Sequence, residues 1–209
     1  MTDNPLVLIL MIAASLYVVR LWRSDYMAAQ AGHPEPRALP GATPASWKAC
    51  VIAAAGALLI LTIETIGEIR LGLSSQQSSI TVLFGIYTLV GAFIEELVFR
   101  GFIVIENRGP VACWMGIFGA SILFALLHPF LWTWQDGWFW GTGRSELTLT
   151  TKGWFSTGMV FLASLWFYAM RFAHFNPQRS LLPSFIAHAT KNLGVFVIKA
   201  TQGFVMGLW

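Results

Sequence analysis

Charge is what this chain of 209 residues has least of. Only 11% of its residues are Asp, Glu, Lys or Arg, against 56% hydrophobic ones. Soluble globular domains carry about 25% charged residues, so the composition excludes a water-soluble domain and points to an integral membrane protein. The net charge of +3 carries no message about nucleic acid, because the basic residues cluster at segment ends, the pattern of membrane topology. Cysteine is nearly missing as well. Cys50 and Cys113 lie in or beside apolar runs, which excludes a disulfide framework and a Cys-pair zinc motif and leaves two packed thiols. Internal repeats and low-complexity tracts are also lacking. The N-terminal run PLVLILMIAASLYVVRLW has only Asp3 before it and Arg20 and Arg23 after it. Without a leading basic region it reads as a retained first helix and not as a cleaved leader.

Long apolar runs dominate what remains. A spanning helix needs about 20 apolar residues, and on that measure helices are expected at about 5–22, 49–67, 80–106, 111–128, 154–171 and 182–207. The last is interrupted by Gly194, Gly203 and Gly207 and can be two shorter pieces. The expected fold is therefore all-α, a polytopic transmembrane bundle of about six to eight membrane helices forming one domain over 1–209. Residues 1–48 supply the first helix and a loop rich in Pro, Ala and Gly (24–47), which reads as a surface linker. Residues 71–79 form a short polar turn.

Arg20, Arg23, Arg37 and Lys48 fall in or beside the first loop, Arg108 follows the third helix, and Arg171 and Arg179 follow the fifth. The opposite loops hold only Arg70, Arg144 and Lys152. By the positive-inside rule the first group is cytoplasmic and the N-terminus is outside. The outer segment 129–153 and its edge hold half of the ten tryptophans, at Trp132, Trp134, Trp138, Trp140 and Trp154. They read as an interfacial aromatic belt or, since structureless loops this long are often functional, as a lid.

Within this apolar background residues 92–102 read AFIEELVFRGF. An acidic residue at a helix centre costs about 2.5–3.5 kcal/mol to insert, so Glu95 and Glu96 need a reason. On a helix, residues four apart share a face, while adjacent ones diverge by about 100°. Glu96 therefore stacks on Arg100 and has an internal counter-ion. Glu95 stacks on Phe99 and has none, which makes it the better candidate to exchange a proton with water. Polar partners are available on two later helices. His128 closes the fourth, with Phe124 one turn below it, and Pro129 directly after it biases it toward a helix end. His188 and Asn192, four apart, share a face of the last helix. His33 and His174 lie in expected loops. Lys191 and Lys199 read as snorkelling or paired inside the bundle, and Glu64 and Glu68 as an interfacial polar face.

EELVFR, FALLH and HATKN match in order the motifs EExxxR, FxxxH and HxxxN. In this the chain resembles the CPBP family of intramembrane proteases, which includes the type II CAAX prenyl endopeptidases and the bacterial Abi proteins, with the catalytic core over about 80–200. The resemblance implies that Glu95 activates the hydrolytic water and that His128 helps to hold it. It implies further that His188 and Asn192 polarise the scissile carbonyl and stabilise the oxyanion, and that Glu96, Arg100 and Phe124 are supports. Donors of this kind count most in a water-poor cavity. No cofactor is then needed. The alternative is a zinc site of Glu95, His128 and His188 with an open fourth position, against which Asn192 is a poor zinc ligand but a good oxyanion donor.

The expected function is that of a multi-pass intramembrane endopeptidase in a membrane of prokaryotic type, the inner (plasma) membrane. It would cut near the end or anchor of a membrane-associated protein, with the bilayer as its other partner and no nucleic acid. One alternative substrate is a C-terminal sorting tail in place of a CAAX-type end. Another reading is a non-proteolytic bacteriocin-immunity or scaffold protein on the same fold, against which the complete Glu95/His128/His188/Asn192 set argues. A proton-coupled carrier would explain the buried Glu and His but not the ordered motifs.

Overall fold

The computed structural model describes residues 4–106, 108–135 and 143–209. It is mostly helical, with six α-helices in chain order: α1 Pro5–Gln30, α2 Trp47–Arg70, α3 Val82–Glu96, α4 Gly109–Leu127, α5 Thr151–Phe172 and α6 Leu182–Thr201. A π-helical stretch, Leu97–Phe102, extends α3, and a hairpin of β1 (Trp132–Gln135) and β2 (Arg144–Leu147) stands between α4 and α5. Among the described residues four helices are long and apolar enough to cross a membrane: α1, α2, α3 with its π-helical end, and α4. The chain is thus an integral membrane protein, but the expected count of six to eight membrane helices is not reached by that measure. Polar residues thin the apolar runs of the last two helices, Ser156, Thr157 and Ser164 in α5 and His188, Lys191, Asn192 and Lys199 in α6.

The chain divides into two compact units, Met1–Val104 with Trp166–Trp209, and Ile105–Leu165. In the first, α3 packs against α1 and α6, and α6 packs against α2. Lipid tails are as apolar as leucine, so helices in a membrane associate through close approach and hydrogen bonds more than through the hydrophobic effect. Glycines provide that approach here. Gly85 of α3 lies against the Phe196 ring of α6, Gly194 of α6 against Leu61 of α2, and Gly56 of α2 against the Trp166 ring, each with no room for a side chain. Trp166 also donates from Nε1 to the Ala53 carbonyl (3.0 Å).

Two local expectations are corrected. Residues 24–30 are helical and belong to α1, whose last turns are held by the Trp22–Tyr26 ring stack and a Gln30–Tyr26 hydrogen bond. The loop that follows is also no loose linker. Asp25 accepts from the Leu39 N–H (2.8 Å), Trp22 donates to the Pro40 carbonyl (3.1 Å), and Gly41 accepts from the Leu181 N–H (3.0 Å). Its Ala42 joins Trp22, Phe93, Leu97 and Leu181 in one buried cluster. At the other end α6 is a single helix that stops before Gly203, whose φ of 82° few other residues adopt. The tail beyond it pairs with the start of α3, carbonyls 207 and 208 accepting from the Val82 and Leu83 N–H groups that open that helix.

In the second unit Ser121 and Ser164, both fully buried, share a hydrogen bond of 3.0 Å, and Phe118 meets Phe161 edge to face. The segment 129–153 is not structureless where it is described. Trp132 pairs with Leu147 and Gln135 with Arg144 across an antiparallel ladder. Trp132 also donates from Nε1 to the Leu126 carbonyl (2.8 Å). Trp138 and Trp140 lie outside the described residues.

Candidate active site

Helices α3 and α6 run antiparallel, and their meeting points form a ladder. From one end to the other it reads Gly85 with Phe196, Thr88 with Asn192, Glu96 with His188, Phe93 with Phe185, and Gly101 with Leu181. This register places the acidic pair of one helix opposite the His–Asn face of the other. Both carboxylates reach the same imidazole. His188 Nδ1 is 2.8 Å from Glu96 Oε1, and His188 Nε2 is 3.8 Å from Glu95 Oε2.

The two glutamates differ in surroundings as their spacing predicts. Glu96 is 1% exposed and pairs with the fully buried Arg100, whose Nη1 donates to Glu96 Oε1 at 3.0 Å. The Arg100 guanidinium sits over the rings of Phe99, Phe167 and Tyr168, at 5.8, 5.2 and 4.8 Å from their centroids. Glu95, whose side chain is 39% exposed, is the one that solvent or a substrate can reach. His188 is held on its face as well as its edge, since the Phe167 ring stacks on it at 4.7 Å and 21°. Asn192, one turn further along α6, donates from Nδ2 to the Thr88 carbonyl (2.9 Å). A side-chain amide carries two hydrogens, so this bond fixes the group and keeps a second donor for another acceptor.

Directly after Glu96 the helix widens. The Ile103 N–H bonds to the Val98 carbonyl five residues back, the π pattern. The Phe99 carbonyl accepts instead from the Tyr168 hydroxyl at 2.6 Å. Such wide turns gather at functional sites, and this one sets where Arg100 stands relative to Glu96.

His128 and Phe124 belong to the second unit. His128 closes α4 with extended backbone (φ −76°, ψ 129°), the conformation that the following Pro129 favours. Its Nδ1 lies 2.8 Å from the Phe124 carbonyl, and its ring is flanked by those of Phe124 and Phe130. A carbonyl only accepts, so Nδ1 carries hydrogen, and in the neutral ring Nε2 is the basic nitrogen. Among the described residues no group of three or more His, Cys, Asp or Glu side chains is placed to hold a metal ion.

Three contacts have no counterpart in the sequence reading. One is the Glu96–His188 bond, which gives Glu96 a second task beside Arg100. Another is the stacking of Phe167 on His188. The third is the ion pair of Lys191 and Glu64, both largely buried, at 2.7 Å. The expectation that Lys191 pairs inside the bundle is met, and Glu64 turns inward to do it. Glu68 is buried too and accepts from Gln77, so neither acid forms a purely interfacial face.

Two helices of a membrane protein thus bring an acidic pair and a His–Asn pair together, with Glu96 and His188 buried and Glu95 and Asn192 partly exposed beside them. A family model of the type II CAAX prenyl endopeptidases, described as Rce1-like, matches residues 77–194. The chain belongs to this family, a family of CAAX-type intramembrane proteases. No curated protein and no solved structure matches it.

Proposed function

We propose that the chain is an intramembrane endopeptidase in which Glu95 activates the hydrolytic water. The observation that carries this is one imidazole shared by two unlike carboxylates: His188 is bonded to the buried Glu96 and directed through Nε2 at the accessible Glu95. In this reading Glu95 takes a proton from water, and the oxygen so released attacks the scissile carbonyl carbon. The developing oxyanion accepts from the second Asn192 hydrogen and from His188 Nε2. Donation from Nε2 while Nδ1 holds Glu96 requires the doubly protonated ring. When the tetrahedral intermediate collapses, the C–N bond breaks and Glu95 returns its proton to the leaving amine. What the resemblance of FALLH implies for His128 is a part in holding the water. No step passes through a metal.

Six residues separate His188 from the start of α6, and six separate Glu96 from Phe102, so the site lies roughly 9 Å in from that end of the two helices. By the charge bias this end faces the cytoplasm, and the substrate reaches Glu95 from there. The bond cut is then close to the C-terminal anchor of a membrane-associated protein, as the family name implies. The test is a quenched peptide with a farnesylated cysteine followed by two aliphatic residues, added to the protein purified in micelles. Glu95→Gln, which keeps the shape and removes the base, should abolish turnover while yield and thermal stability stay normal. Cleavage by that variant at the wild-type rate sinks the mechanism.

A further inference from the structure

Tyr87, Gly91 and Glu95 stand four residues apart on α3 and share one face over two turns. The middle position is bare. The three atoms nearest to where a Cβ of residue 91 would stand all belong to the Tyr87 ring, at 3.4, 3.7 and 3.9 Å. The ring therefore lies along the helix over Gly91, in the direction of Glu95. Side chains in helices ordinarily lean the other way, toward the N-terminus; a Cβ at 91 would meet the ring at ordinary contact distance, and the further carbons of a branched residue would press on it. The Glu95 carboxylate is close enough to act electrostatically on the phenol. Phe84 packs at 5.8 Å from the same ring, and the next residue of the helix, Thr88, is where Asn192 is tied down. The half-buried Tyr87 thus lies on the helix face that it shares with Gly91 and Glu95, with its ring beside Gly91.

We propose that Tyr87 is a further active-site residue, whose hydroxyl donates a hydrogen bond to the attacking water and so holds it in line with Glu95. The proposal rests on the reading of Glu95 as the base. The phenol keeps its own proton throughout; it lends a donor, while Glu95 receives the proton that leaves the water. This use of Gly91 gives the stretch YTLVGAFIE a purpose that the motif EExxxR does not cover.

The test uses the same farnesylated peptide and the full chain in micelles. Tyr87→Phe removes one oxygen and keeps the ring, so folding and yield stay normal. It should lower kcat about tenfold or more, as expected for losing a hydrogen bond to a group that becomes charged, with KM unchanged. Gly91→Val, which pushes the ring off its path, should lower kcat in the same direction and add little to Tyr87→Phe in the double variant. If Tyr87→Phe turns over at the wild-type rate while Glu95→Gln is dead, the proposal is overturned and the base assignment stands. A rise in KM with kcat retained overturns it as well, since the hydroxyl would then touch the peptide and not the water. If Glu95→Gln itself is active, it is the base assignment that fails.

Discussion

Removing the Glu96 side chain tests how far the site depends on its deepest charge. Arg100 is fully buried and Glu96 is 1% exposed. Both hydrogen bonds that Glu96 accepts, from Arg100 Nη1 and His188 Nδ1, end on the same oxygen, Oε1. Glu96→Ala leaves the fully buried guanidinium without this carboxylate. Breaking a buried pair in this way costs about 3–5 kcal/mol, a large part of the roughly 5–15 kcal/mol that holds a domain folded. The three aromatic rings around Arg100 do not offset this, because they are present before and after the change. Glu96→Gln is milder. Its amide oxygen can take the Oε1 position and keep both bonds, so the loss is about 1–2 kcal/mol from charge alone. Thermal unfolding followed by tryptophan fluorescence in micelles, alongside the amount of protein in isolated membranes, should rank the wild type above Glu96→Gln and Glu96→Ala well below both. Glu96→Ala unfolding at the wild-type temperature would refute the reasoning.

Other consequences follow from single contacts. Tyr168→Phe removes the donor 2.6 Å from the Phe99 carbonyl, a hydrogen bond worth about 0.5–1.5 kcal/mol; the midpoint of thermal unfolding should fall accordingly. Lys191→Met should destabilise through the lone Glu64 left behind, whereas Lys191→Met with Glu64→Leu should recover most of that loss in the same measurement. Strong chelators should leave turnover of the purified protein unchanged; loss of activity restored by added zinc would bring back the zinc site.

Much of this arrangement is written in residue spacing, and what is missing from the spacing depends on tertiary contact. The bodies of the helices follow from apolar runs that end in Pro, Gly or charge, and α4 and α5 begin and stop within three residues of their expected limits. The Glu96–Arg100 pair follows from an interval of four, and the position of His128 at a helix end follows from Pro129. The true end of α1 does not follow, because residues 24–30 gain their order from rings and from a loop that folds back onto Asp25. The π turn is equally hidden. It rests on the Tyr168 hydroxyl, some seventy residues away, accepting the duty of a donor that the α-helix would have supplied. Glu64 and Lys191 are 127 positions apart in the chain, and no local rule joins them.

The adjacency of Glu95 and Glu96 then has a structural reason. Neighbours on a helix point about 100° apart, so one can be sealed in the interior while the other stays accessible. The sealed one needs a fixed positive partner, and Arg100 four residues on provides it inside the same helix. A second helix that places one imidazole between the two can then be held at one nitrogen and left directed at the accessible acid with the other. Separating the acids by three or four residues would put both on one face and expose both or bury both. A single acid would have to serve as anchor for His188 and as base at once, and a carboxylate already accepting two buried hydrogen bonds is poorly placed to take a proton from water. On the proposed mechanism the pair divides work that one residue could not do.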